Sequence, residues 1–347
     1  MKFVFLLFLL FSTSVLAEPV TPTNLLGEVF EKNPELASSQ ARAKAEGAAI
    51  SSRYSLGNPR IGLMRETNMT NEQRQMGDMQ SWTLSQEVMF PTKYFSMGSM
   101  QRSKAEALQE EYLNKKLEVR QKALSLYFAY YSATKISSLL DAQKETLREI
   151  SRIAEARRAT GAVPQQDEMK AHVEQTKIES EILLQTQELI SMRSSLNSIL
   201  NRDPDAELLL PKEDLKTPKM IVPETKIQEL ARQSSKMIAA ERAWLTEAET
   251  NRSLAKMSYL PDFMLSYRKP FGSNAPDNAY VFGVEMTIPL WFFAKQSSEV
   301  SQASLKAFEV EKRLEQTKRQ VESETKNLNT KAETLAKLLK IYETALI

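Results

Sequence analysis

The segment VFGVEMTIPLWFF, Val281 to Phe293, is apolar within a chain that is otherwise polar, charged and rich in helix formers. A helix needs about 20 apolar residues to cross a bilayer, and this segment is shorter. Its period is two. Tyr280, Phe282, Val284, Met286 and Ile288 fall on one face, and Val281, Gly283, Glu285 and Thr287 on the other. One apolar face at period two predicts a half-exposed β-strand over about 280–289. Pro289 ends the alternation, and Trp291, Phe292 and Phe293 follow as an aromatic collar.

A partner strand lies 202 positions upstream. Sliding the chain by that amount sets Pro59 on Pro261, Leu84 on Met286, Val88 on Leu290 and Lys93 on Lys295. Trp82, Leu84 and Val88 alternate with Thr83, Ser85 and Glu87, and Gln86 interrupts the apolar face. Phe263, Leu265 and Tyr267 alternate as well, and Ile61 and Leu63 more weakly. Four strands follow, at about 60–69, 81–90, 262–270 and 280–289. The order of helix, Pro-led strand, loop, second strand and long helix occurs twice, which predicts a tandem duplication.

Proline marks where long helices fit, because an interior proline costs a helix about 3 kcal/mol. None of the 14 prolines lies between Pro91 and Pro164, or between Pro164 and Pro204, or after Pro289. The first gap is filled by helix formers, with Leu108, Leu113, Leu117, Leu124, Phe128 and Tyr131 recurring three or four apart. It predicts one helix over about 95–159, long enough to need other long helices beside it. Two or three shorter helices are the alternative. Gly161 and Pro164 end the helix, Asp167 begins the next, and that helix runs over about 167–201. The short turn makes the two antiparallel neighbours. Residues 203–224, with four prolines, form an irregular connector. The second repeat occupies 225–347, with its long helix starting near 297.

The N-terminus, MKFVFLLFLLFSTSVLAEPV, has a charged start, an apolar core and a small-residue site at Val15-Leu16-Ala17. It reads as a cleaved signal peptide over 1–17, so the chain is exported. Lys+Arg 46 against Asp+Glu 44 leaves no basic footprint for nucleic acid. With no cysteine and only His172, the sequence offers no disulfide, thiol chemistry or histidine-built metal site. No nucleophile, acid–base pair or phosphate cradle supports an enzyme, and no cofactor is expected.

Strands of nine or ten residues with one apolar face suit a tilted membrane crossing. Glu285 then faces water, and Trp291, Phe292 and Phe293 sit at the interface. Four strands cannot close a barrel, and an open edge in lipid is forbidden, so other copies must supply the rest. Two soluble hairpins packed on the helices are the competing arrangement.

Thr160-Gly-Ala-Val-Pro-Gln-Gln-Asp-Glu-Met-Lys-Ala171, the stretch LNSILNRDPD at 196–205 and the passage VEMTIPLWFFAKQSSEVSQA carry a family resemblance. With the element order, they make the mature chain resemble the TolC-like outer membrane efflux proteins. FPTKYFSMGSMQRSKAEA in the first repeat is similar to the heavy-metal (cation) branch. The resemblance implies a mainly α protein with membrane β structure. It would form a homotrimer whose 12-stranded barrel takes four strands from each protomer, above a periplasmic tunnel of 12 helices. It implies an outer-membrane location and an adaptor (membrane fusion) protein docked at a tip formed by Gly161, Ala162, Val163, Pro164, Gln165 and Gln166. An inner-membrane transporter of RND or ABC type stands behind the adaptor. Pro164 and Gln165 depart from the small hydroxyl and basic residues common there.

The 202 offset would carry the second long helix beyond position 360, whereas the sequence ends at Ile347. The expectation is a chain cut inside that helix, exposing Leu328, Leu335, Leu338, Leu339 and Tyr342, which gates poorly without a partner or is a channel remnant. Seven of the 15 methionines (Met64, Met69, Met76, Met79, Met89, Met97 and Met100) fall within 37 residues. Thioethers select Cu(I), although barrel and loop methionines without a ligand role are the favoured reading of the cluster. A periplasmic coiled-coil adaptor or scaffold without a pore is the main competing function.

Overall fold

The structure, a computed structural model, describes residues 19–68, 77–159, 161, 164–211, 223–272, 275 and 278–345, with the backbone alone at 66–68, 77–79, 165, 167–168 and 224–225. The signal-peptide stretch 1–17, tip residues Ala162 and Val163, and Met69 and Met76 lie outside the described residues. Helices α1 (Pro22–Lys32), α2 (Pro34–Ala48) and α3 (Ile50–Tyr54) lead to strands β1 (Arg60–Asn68) and β2 (Gly77–Val88). Helices α4 (Pro91–Ala159), α5 (Gln165–Ile199), α6 (Glu224–Ser234) and α7 (Lys236–Lys256) follow, then β3 (Phe263–Phe271), β4 (Val281–Met286) and α8 (Lys295–Ala345). The chain divides into two units, residues 1–37 with 116–219, and 38–115 with 220–347.

The repeat is visible in the local chemistry. α1 and α6, and the starts of α2 and α7, are each separated by 202 positions. At the break between α1 and α2 the Asn33 side chain accepts the Leu36 amide at 3.1 Å, and between α6 and α7 Ser235 accepts the Ile238 amide at 3.4 Å. Each cap satisfies an orphan donor of the following helix. Leu36 and Ile238, also 202 apart, are both buried.

In the first unit, α4 and α5 are antiparallel. His172 approaches Glu155 near the turn, Gln185 donates to the Ala133 carbonyl further along, and Val119, Ala123 and Tyr127 meet Leu196, Ile199 and Leu200 beyond that. Leu25 and Val29 of α1 complete this core. The buried stripe corrects part of the expected one: Leu108 is buried and Leu113, Leu124 and Tyr131 are half-buried, but Leu117 and Phe128 are exposed, while Val119, Ala123 and Tyr127 at i, i+4, i+8 face inward. α4 therefore carries apolar residues on a second face as well, of which Leu117 and Phe128 stay exposed.

The LNSILNRDPD stretch acts as a structural clasp. Asn197, fully buried, donates to the carbonyls of Pro204 at 3.1 Å and Ala206 at 2.8 Å. Asn201 takes a left-handed φ of 55°, and Asp203 accepts the Asp205 amide at 2.9 Å. Arg202 forks onto Glu28, with Nε 2.8 Å from Oε1 and a second bond to Oε2. This hydrogen bond, with a lesser contribution from Lys32, holds the Glu28 carboxyl below the ordinary carboxylate range despite partial burial. A lowered folded pKa stabilises above the unfolded value of about 4.3, and the gain disappears as pH falls through the folded pKa. Arg202→Ala is expected to lose about 2 kcal/mol at pH 7. Urea unfolding should show that deficit narrowing below about pH 4.3, as Glu28 protonates in both proteins.

In the second unit, α8 lies antiparallel to α6 and α7. Arg313 reaches Glu241 at 2.7 Å and Arg232 reaches Glu322 at 2.9 Å, around Ile238, Leu314 and Val321. α4 contributes its first turns to this unit: Glu111 accepts the Trp244 indole N–H at 2.7 Å, and Gly98 lies so near the Tyr54 ring that an added Cβ would stand 2.2 Å from it.

Candidate membrane interface and helix tip

The four strands form one antiparallel sheet in the order β1-β2-β3-β4, so β1 and β4 are its edges. The register sorts side chains by chemistry. On one face, Ile61, Leu84, Tyr267 and Phe282 form a row across all four strands. Beside it lie Leu63 with Trp82, Leu265 with Val284, and Phe263 with Met286. The opposite face carries Thr83, Ser85, Ser266, Arg268 and Glu285. Aromatic pairs tie the apolar face across strands: Tyr267 and Phe282 have centroids 5.1 Å apart, and Trp82 and Phe271 6.1 Å.

This apolar face is uncovered. Phe282 is 73% exposed and Val284 72%, and Ile61, Leu63, Trp82, Leu84, Leu265 and Met286 are exposed as well. Such a contiguous patch marks a surface made to meet lipid or another protein. Gln86, the interruption in the apolar face, sits where β2 nears α3 and donates to the carbonyls of Gly57 at 3.0 Å and Glu87 at 2.8 Å.

The expected strand residues Phe282, Val284 and Met286 lie in β4, while Tyr280 and Ile288 flank it and are exposed. Ladder pairing continues one step, through the Thr287 amide on the Asp262 carbonyl at 2.8 Å. Trp291, Phe292 and Phe293 occupy the turn into α8 and are exposed. The Phe293 ring stands 6.3 Å from Trp291 and 5.9 Å from Phe292. The turn closes as Lys295 N donates to the Trp291 carbonyl at 2.9 Å.

Where sheet meets helices, the structure adds a pair that strand and helix periodicity had not joined. Lys93, only 8% exposed, places Nζ 2.8 and 2.9 Å from the Asp262 carboxylate oxygens and 3.0 Å from the Leu260 carbonyl. The Phe90 amide donates to the same carboxylate at 2.9 Å. Asp262 thereby joins the end of β2, the start of α4, the start of β3 and the end of β4. The sequence signal was an acidic residue between Pro261 and an apolar strand, and its partner, 169 positions away in the chain, lacked any local mark.

At the other candidate site, α4 ends at Ala159 and α5 begins at Gln165 with Pro164 as its extended N-cap. Gly161 holds a φ of +75°, a left-handed value that glycine adopts without strain, and its amide donates to the Arg158 carbonyl at 2.9 Å. Gly161, Pro164 and Gln166 are exposed, and Gln165 opens α5.

No described helix is long and apolar enough to cross a membrane. No protein-family profile matches the sequence, and no curated protein matches it. Solved structures do match the fold. A membrane protein from Pseudomonas aeruginosa aligns with 92% of this chain and 79% of its own, at TM-score 0.79 and 16% identity. The outer membrane protein VceC of Vibrio cholerae aligns with 93% of this chain and 81% of its own, at TM-score 0.76 and 18% identity. The MtrE outer membrane channel of Neisseria gonorrhoeae aligns with 93% of this chain and 75% of its own, at TM-score 0.75 and 14% identity. The chain therefore has the TolC-like fold of outer-membrane channels, with long helices joined to a four-stranded antiparallel sheet open at both edges.

Proposed function

We propose that the chain is the outer-membrane channel component of a tripartite efflux or type I secretion system, a passive duct across the outer membrane and periplasm. The observation that carries this reading is the sheet, which is mostly apolar and exposed on one face, where Lys269 opposite Trp82 is an exception, mostly polar on the other and unpaired at both edges. Lipid accounts for the apolar face, and a water-filled lumen for Thr83, Ser85, Ser266, Arg268 and Glu285. Further copies account for the edges, because lipid tolerates none. Three copies would supply twelve strands. Exposed apolar residues on the helices, including Leu117, Phe128, Leu183, Leu184, Leu335 and Leu338, would meet helices of the neighbouring copies in a tunnel. Trp291, Phe292 and Phe293 would form the interfacial collar. The 161–166 tip would dock a periplasmic adaptor, and through it an RND or ABC transporter. The solved channels of this fold support the location.

Membrane extraction and single-channel recording test the reading together. The exported protein is expected to stay with the outer membrane through a carbonate wash and to conduct in a planar bilayer. Release by carbonate without conductance would favour the pore-free adaptor or scaffold.

A further inference from the structure

The apolar face of the sheet changes character along its strands. Nearest the helices it holds Val88, Phe263 and Met286 in one row, then Gln86, Leu265 and Val284, then Ile61, Leu84, Tyr267 and Phe282. Toward the far end, the next row is Leu63, Trp82 and Lys269, and the one after it Arg65, Gln80 and Phe271. Arg65 and Lys269 are exposed. Among the strand side chains described on this face they alone are charged, and both lie at the end away from the helices. Asp78, farther out opposite Thr67, is described by its backbone alone.

A cation on the lipid face of a barrel is costly near the midplane and nearly free at the interface. Both residues therefore belong where hydrocarbon gives way to headgroups, and their long side chains carry the charge outward. Aromatic residues of the kind that populate this level accompany them. Trp82 stands directly opposite Lys269, with its ring stacked 6.1 Å from Phe271, and Tyr280 is exposed just before β4. The helix end of the same face finishes on Val88, Phe263 and Met286, without a charge. The cations thus mark one leaflet only, the one away from the helices. Across β2, Arg65 and Lys269 are two strand spacings apart and two residues out of line, roughly 12 Å between Cα atoms. From there both side chains can reach a single headgroup. Arginine grips phosphate bidentately, and lysine meets it as a point charge.

We propose that Arg65 and Lys269 bind the phosphate groups of an outer-leaflet lipid whose acyl chains lie on Leu63, Trp82 and Leu84. Charge complementarity selects the occupant. Phosphate supplies the anion for the two cations, and acyl chains match the apolar rows beneath them, so the ligand is a lipid and not a free anion. The inference rests on the membrane reading above and adds a ligand at the outer rim of the sheet.

Lipid A carrying both of its phosphates is the probe. It is titrated into the full-length exported protein in a neutral detergent, and native mass spectrometry counts the molecules bound. Arg65→Gln/Lys269→Gln is expected to weaken binding about 30-fold, the combined effect ordinary for two basic side chains at an anionic lipid surface. Each single glutamine change should weaken it about fivefold, which keeps the test available where the double variant assembles poorly. Lys269→Arg keeps the charge and should retain most of the affinity. Arg268→Gln removes a cation from the opposite face of the same strand and should leave binding unchanged. A loss for Arg268→Gln equal to that for Lys269→Gln would show an effect of overall charge and overturn the site. Unaltered affinity in the double variant, equal binding of lipid A stripped of its phosphates, or tight binding of inorganic phosphate alone overturns it as well. Protein that resists a carbonate wash yet does not distinguish phosphorylated from dephosphorylated lipid A removes only this proposal, whereas release by carbonate removes the membrane reading with it.

Discussion

Val284→Arg is expected to cost the membrane-embedded protein about 2–4 kcal/mol, the range for a cation near the midplane on the lipid face of a barrel. The residue is 72% exposed in the chain by itself, so loss of packing cannot produce such a cost. A surface substitution away from special features ordinarily changes stability by about 0.5 kcal/mol or less. The size of the effect therefore distinguishes lipid from water as the neighbour of this face. Val281→Arg provides the control. It lies three residues away in β4 and is also exposed, but it projects from the polar face opposite Arg268. In a water-filled lumen it should cost less than about 1 kcal/mol beyond the local charge repulsion. The measurement is the yield of folded, heat-modifiable oligomer in outer membranes, followed by urea unfolding of protein reconstituted in lipid. Equal tolerance of both arginines would remove the membrane reading and favour a soluble sheet.

The second large effect is expected at the junction below the sheet. Asp262→Ala leaves Lys93 buried without its carboxylate and strips the Phe90 amide of its acceptor. Breaking one partner of a buried ion pair costs about 3–5 kcal/mol, and the partial exposure of Asp262 places this case near 3 kcal/mol. Lys93→Met should cost a similar amount for the complementary reason. The double variant Lys93→Met/Asp262→Ala is expected to cost clearly less than the sum of the two single changes, because neither charge is left buried without its partner. Unfolding followed by the fluorescence of Trp82, Trp244 and Trp291 can check the cycle. Strict additivity of the two single changes would show that the pair is not coupled. The clamp also bears on transport in the proposed channel, since it fixes how the sheet passes into the long helices.

Much of this molecule was legible before any coordinates. Period two in Tyr280 to Ile288, the 202-residue offset and the spacing of the prolines each rest on a local rule, and together they yielded a mainly α chain with two strand pairs. Helix interiors exclude proline and half-exposed strands alternate, whatever lies around them. Gly161 was equally readable, because a left-handed turn after a helix favours a residue without Cβ. Lys93 and Asp262 were not readable as a pair. Nothing local marks a contact across 169 positions, and the clamp exists only once β2 and β3 are paired.

The long helix shows the same division within one element. Its existence follows from composition and a proline-free run, which the sequence by itself determines. Its orientation does not, because Leu117, Leu124 and Phe128 form as plausible an apolar stripe as Val119, Ala123 and Tyr127. Only the packing of α1 and α5 decided that the second stripe is buried and that Leu117 and Phe128 stay exposed. The sheet repeats the lesson. Alternation determined which residues share a face, and pairing determined that Ile61, Leu84, Tyr267 and Phe282 make one row across it. Period and propensity are properties of a few neighbouring residues, whereas register, burial and ion pairing depend on which distant segments the fold brings together.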